Sequence, residues 1–199
     1  MNRTDLISRV KIKLDEYTPS GVSLPFEDYI GPMLDESARD LCIRGPLHLL
    51  APSDIALTGV DYYNNKVYIP VPSDYAKLYE IKYPLWKKSV RVAITPENPH
   101  YKIQENEYLT GGYARPSVAV VIYNGIKHFE CGKVVDPAPG TITPIALYVK
   151  LVLPEILNDL LVDSLTWLAA SKIFVVTGYG DKAKITLDLS NNALEQLTV

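Results

Sequence analysis

The sequence predicts an α+β fold. An N-terminal helical hairpin and two C-terminal helices are expected to pack as a small bundle, with a mostly antiparallel β domain inserted between them. Three observations predict this. Apolar residues recur with helical spacing from Leu6 to Cys42. They alternate with strand spacing through the middle of the chain, and helical spacing returns after Pro154. The expected boundaries are 1–50 and 154–199 for the bundle and 51–153 for the β-rich insert.

The first helix is expected over Asp5–Tyr17, capped by Thr4. Leu6, Val10 and Leu14 form its apolar stripe, and Thr18-Pro19-Ser20-Gly21 ends it. A second helix is expected over Phe26–Arg44. Pro25 suits its first position, and Glu27 and Asp28 suit its first turn. Gly31-Pro32 is expected to kink or restart it, and Gly45-Pro46 to stop it.

In the middle, Val67, Ile69 and Val71 alternate with Tyr68 and Pro70, and Asn64-Asn65 is a candidate turn before them. Ser73-Asp74 should cap a short turn ahead of a strand over Leu78–Tyr83. Val90, Val92 and Ile94 read as a further strand. Val118–Tyr123, Asn124-Gly125 and Ile126–Cys131 form the clearest hairpin, because both turn positions need a positive φ that Asn and Gly tolerate. Ile142–Val152 is a last strand, with Pro144 favouring an edge or a start. One long helix is then expected from Pro154 to Val176, broken at Thr177-Gly178-Tyr179-Gly180. A final helix over Asp181–Leu197 is expected to be capped by Asp181.

Composition narrows the function. The chain has 199 residues, of which 47% are hydrophobic and 22% charged, as in a globular protein. A net charge of −3 argues against a general nucleic-acid binder. Tyr (14) far outnumbers Phe (3), which suits partly wet contact surfaces where the ring packs and the hydroxyl stays hydrated. The N-terminus lacks the apolar core of a signal peptide. The apolar run from Pro154 to Val176 is interrupted by Asn158, Asp159, Asp163 and Lys172, so a protein-buried helix is expected rather than a membrane span.

Catalytic patterns are not found in the sequence. Cys42 and Cys131 form no paired motif, and His48, His100 and His128 are scattered, so no metal or other cofactor is expected. Gly178-Tyr179-Gly180 follows a helix rather than a strand, which is the wrong context for a dinucleotide loop. His128 and Cys131 lie three apart on a strand and should point to opposite faces. Glu105 and Glu107 are expected on a solvated loop or turn. The basic–aromatic cluster of Trp86, Lys87, Lys88 and Arg91 admits two readings. In one, bases stack on Trp86 while the cations meet phosphate; in the other, which is favoured, the patch faces a protein. Charge also segregates along the chain. Residues 1–40 and 154–199 are acidic and residues 77–102 basic, which permits head-to-tail association of copies, although ordinary surface variation is the favoured reading.

Particular strings add a resemblance. Asp5-Leu6-Ile7, Arg9 and Leu14-Asp15 precede Phe26-Glu27-Asp28 and then Ala38-Arg39-Asp40. Later come Ile69-Pro70-Val71-Pro72-Ser73-Asp74-Tyr75, Glu80-Ile81-Lys82 and Trp86-Lys87-Lys88. A run of Tyr101, Gln104, Asn106 and Tyr108 is followed by Arg115-Pro116. With the helix–sheet–helix layout, these resemble the head-to-tail adaptor (connector) proteins of tailed bacteriophages, especially short-tailed ones. The middle strings look like the ring proteins of crAss-like phages. The resemblance implies a non-catalytic virion protein at the head–tail interface, assembled in the host cytoplasm. It implies a dodecameric ring beneath the portal that extends the DNA channel and docks the next tail ring or hub protein. Double-stranded DNA would pass without sequence-specific binding. Trp86, Lys87, Lys88, Arg91, Tyr101, Gln104, Asn106, Tyr108 and Arg115 are the candidate interface residues. A more distal tail ring or tail-completion protein is the alternative, and a single-stranded nucleic-acid-binding module is a further one.

Overall fold

The computed structural model describes residues 1–18, 26–63, 66–105, 115–132, 134 and 143–197; within 103–105 it describes the backbone only. The fold is α+β. Two compact units divide the chain: Met1–Ala51 with Leu151–Val199, and Pro52–Lys150.

The first unit is helical. Its elements are α1 (Arg3–Tyr17), α2 (Glu27–Arg44), α4 (Val162–Val176) and α5 (Gly180–Glu195). α4 packs against α1, α2 and α5. Leu6, Val10 and Leu14 on α1 are buried at the expected spacing, as are Ile30, Leu34, Ala38 and Leu41 on α2. On α4, burial runs almost all round the helix, from Leu165 and Leu168 to Ala169 and Ile173. A helix apolar on every side is one surrounded by protein.

Several helix ends differ from expectation. Asn2, not Thr4, caps α1, accepting a hydrogen bond from the Asp5 amide at 2.8 Å. α2 runs through Pro32 without restarting, and Pro25 lies outside the described residues. The expected long helix from Pro154 is instead two single 3-10 turns, Pro154–Ile156 and Asp159–Leu161, leading into α4. Leu157 is extended (ψ 151°), and Asn158 caps the second turn through its Oδ1 to the Leu160 amide. Asp181 lies inside the first turn of α5; the position before the helix is Tyr179, which makes no side-chain cap.

The break between α4 and α5 has a specific cause. Gly178 takes a φ of +83°, a conformation costly for residues with a Cβ. Its amide bonds the Val175 carbonyl and the Tyr179 amide bonds the Phe174 carbonyl at 2.8 Å. Phe174 and Tyr179 meet edge to face, 6.3 Å apart. This paired bonding with an apolar contact across it is a Schellman helix end.

The second unit holds two antiparallel sheets. One has the order β1 (Pro52–Asp54), β7 (Ile145–Lys150), β4 (Tyr75–Lys82). The other runs β2 (Asp61–Tyr63), β3 (Lys66–Pro70), β6 (Ile126–Gly132), β5 (Val118–Tyr123). Val67, Ile69, Val118, Phe129 and Cys131 from the second sheet share one core with Leu78, Ile81, Ala146 and Tyr148 from the first. The β5–β6 hairpin turns at Asn124 (φ 51°) and Gly125 (φ 78°), the two positive values expected of its turn. Tyr63 pairs with Lys66 across residues 64–65, which lie outside the described residues.

Three further expectations are corrected. Val90–Ile94 is not a regular strand: Val90 bridges Ile81 and Ile94 bridges Ala119, each singly. β7 runs over Ile145–Lys150 rather than to Val152 and is a central strand, not an edge, while Pro144 stands at its start; Ile142 lies outside the described residues. A short helix, α3 (Pro99–Glu105), occupies part of the stretch read as loop, and Glu107 lies outside the described residues.

Candidate interaction surface

The basic cluster sits on a loop leaving β4. Ile81 and Val90 exchange both backbone hydrogen bonds at 2.9 Å, which closes the loop like a clasp. A turn inside it is fixed by the Trp86 amide donating to the Tyr83 carbonyl at 2.9 Å. Tyr83 and Trp86 then fold inward, their rings 5.2 Å apart, while Pro84, Leu85, Lys87 and Lys88 face solvent.

Trp86 is therefore a core residue, only 2% exposed, and not the surface residue its basic neighbours imply. It seals the end of the β core beside Ile81 and Tyr83. The physical reason is area. A large aromatic ring gains more from burial than any other side chain in the loop, and the turn allows one inward position beside Tyr83. Its indole N–H has no hydrogen-bond partner among the described residues. An indole at this depth offers no face on which a base could stack.

Lys87, Lys88 and Arg91 are exposed, and none forms an ion pair with a described residue. From Lys82 to Pro96 the chain carries four cations and no acid. Leu85 (51%) and Val92 (73%) are exposed among them. The parallel bridge of Ile94 to Ala119 sets the segment before Ile94 alongside the segment before Ala119. Arg91 and the exposed Arg115 thus enter from the same end. Asn106 and Tyr108 lie outside the described residues, as does the Gln104 side chain.

Tyr101 belongs to a different constellation. On the outer face of the second sheet, Glu130 is 5% exposed and accepts from Lys66 Nζ at 2.8 Å and from the Tyr101 hydroxyl at 3.3 Å. Lys66 also lies over the Tyr101 ring, 5.6 Å from its centre. Tyr68 stacks on Tyr123 at 4.1 Å, and Tyr123 meets the His128 ring edge to face. His128 Nδ1 donates to the Ile126 carbonyl, 3.0 Å away. Sequence reasoning missed this network, although Lys66, Tyr68, His128 and Glu130 alternate with core residues on β3 and β6. Cys131 joins the core while His128 faces this network, on opposite sides of β6 as their spacing requires. The carboxylate is occupied by its donors, so the arrangement ties α3 to the sheet.

Among the described residues, no three His, Cys, Asp or Glu side chains come together as a metal site. No described helix is long and apolar enough to cross a membrane. A shallow groove of about 370 Å³ between the end of α4 and the start of α5 is lined by Val175, Ala183 and Leu187, with Lys184 as its one charged residue. It offers packing rather than acid–base chemistry.

Two buried hydroxyls give the β unit an alkaline limit. Burial first, then the hydrogen bond to Asp74 (2.8 Å), pushes Tyr148 up to about 12. Burial first, then the charge of Glu130, pushes Tyr68 up to about 12. The ordinary value is about 10. Folding favours the neutral hydroxyls, so this stability is complete below about pH 10 and is lost as pH rises through about 12. Tyr148→Phe should make the loss shallower over that window, as measured by denaturant midpoints at successive pH values. An unchanged slope would place the Tyr148 hydroxyl in solvent.

Comparison with protein-family models finds no match to this chain, and comparison with curated proteins finds none.

Proposed function

We propose that the chain is a non-catalytic virion protein, a subunit of a head-to-tail connector ring. In this reading about twelve copies stand beneath the portal, consistent with closed rotational assembly from one repeated contact. The ring extends the DNA channel and presents a platform to the next tail component. The supporting observation is the layout. One compact unit is assembled from both ends of the chain and a β unit is inserted between them, which is the arrangement the resemblance implies. Cations without an ion pair to a described residue, and exposed apolar side chains, add a place for contact between proteins. The net charge of −3 suits a channel through which DNA slides, since basic linings hold phosphate through counterion release. A more distal ring or tail-completion protein shares this layout. The single-stranded nucleic-acid reading is weakened by the burial of Trp86.

The test is quantitative proteomics of purified virions. The reading expects this chain in the particle at the same copy number as the portal protein. Absence from the particle overturns it.

A further inference from the structure

Four of the nine Lys and Arg side chains of the helical unit pair with carboxylates inside it. Arg3 bridges Asp35 and Glu155 at 2.8 and 2.9 Å, Lys172 bridges Glu36 and Asp40, Lys11 meets Glu27 and Lys13 meets Asp163. The outer face of α1 is different. Asp5, Ile12 and Glu16 stand seven and four residues apart, so they line up along the side opposite Leu6, Val10 and Leu14, with Asp15 beside them. Ile12 is 65% exposed, and Asp5, Asp15 and Glu16 are exposed without an ion pair to a described residue. Arg9 lies at the flank, leaving three carboxylates against one guanidinium.

We infer that the loop tip carrying Leu85, Lys87 and Lys88 docks on this outer face of α1 in a second copy of the chain. The inference rests on the ring reading and names its repeated contact. Charge complementarity carries it: Lys87 and Lys88 beside exposed Leu85, without ion pairs to described residues, match the carboxylates around exposed Ile12, which likewise have none. Opposed charges steer and orient such a contact, while the apolar residues supply burial. A phosphate backbone would satisfy the cations but leave Leu85 against a polar surface, so a protein partner is favoured over DNA. The tip and the face are different patches of one chain, so the contact is heterologous and repeats from copy to copy.

Two charge reversals test it: Lys87→Glu with Lys88→Glu on the tip, and Asp15→Lys with Glu16→Lys on α1. All four side chains are exposed, and thermal unfolding followed by circular dichroism checks that both variants fold as the wild type does. Self-association is read by native mass and sedimentation, for the chain alone and with the portal protein. Each variant alone is expected to associate at least about tenfold more weakly, since like charges then meet. An equal mixture should recover assembly, because the acidic tip of one variant meets the basic face of the other. Added salt should weaken the wild-type contact. If the wild type assembles and both variants assemble equally well, this contact is wrong while the ring reading stands. Should the wild type form no multimer alone or with portal, the ring reading fails and this inference fails with it. If the tip variant loses retention on double-stranded DNA but keeps its self-association, the tip faces nucleic acid and the inference is overturned.

Discussion

Trp86→Ala is expected to destabilise the β unit by about 3–5 kcal/mol, the usual cost of truncating a buried large aromatic. The indole is 2% exposed and shares a core with Ile81, Tyr83 and Phe129. Its removal leaves a hole at the closed end of the loop, where Ile81 and Val90 already fix the backbone. The unsatisfied indole N–H offsets a part of the loss, because its burial already costs about 1–3 kcal/mol. Lys87→Ala and Lys88→Ala, one and two residues on, should stay within about 0.5 kcal/mol, as exposed substitutions do. Denaturant unfolding of the three variants makes the comparison. A Trp86→Ala midpoint equal to that of the lysine variants would put the indole on the surface and restore a stacking platform for bases.

Glu130→Ala should cost somewhat less, roughly 2–3 kcal/mol, by a different route, the loss of hydrogen bonds to a charged group. Removing the buried carboxylate takes a charged acceptor from both Lys66 and the Tyr101 hydroxyl. Lys66 has a side chain only 24% exposed, and the Tyr101 hydroxyl loses its acceptor in the same step. The loss should also loosen α3, which Tyr101 ties to the sheet, so amide exchange over His100–Lys102 should rise. The double variant Lys66→Met with Glu130→Leu should recover most of the stability, since apolar replacement of a buried pair is often neutral or better. If Glu130→Ala unfolds at the wild-type midpoint, the carboxylate is solvated and the network is not holding α3.

Both results turn on residues whose surroundings the sequence conceals to different degrees. Periodicity made α1, α2 and α4 legible, because a helix that buries one side must repeat its apolar residues. The Asn124-Gly125 turn was legible because few residues accept two successive positive φ values. Trp86 was not. A tryptophan beside two lysines reads as surface, and only the turn at Tyr83 sends the ring inward. The break at Leu157–Asn158 was hidden by a continuous apolar run, although Asn158 ahead of Asp159 is a cap signal. α3 left a similar trace. Asn98 accepts from the His100 amide, and Pro99 occupies the first helical position, but seven residues carry no apolar period. The Glu130 network lies on alternate positions of two strands that meet only through tertiary pairing, Tyr68 opposite Glu130 and Pro70 opposite His128. No local pattern encodes that register.

The same limit applies to function. The strings that resemble connector proteins are spread over both units, and the surface residues among them carry charge and shape rather than chemistry. The tip and the face of α1, without ion pairs to described residues, emerge only when the internal ion pairs of Arg3, Lys11, Lys13 and Lys172 are known, because formal charge alone does not separate occupied carboxylates from the rest.

Native mass spectrometry of this chain mixed with the portal protein of the same genome tests the central claim most directly. The connector account predicts a complex with as many copies of this chain as of portal. Portal and chain remaining separate under conditions where each is folded would contradict a connector seated on the portal.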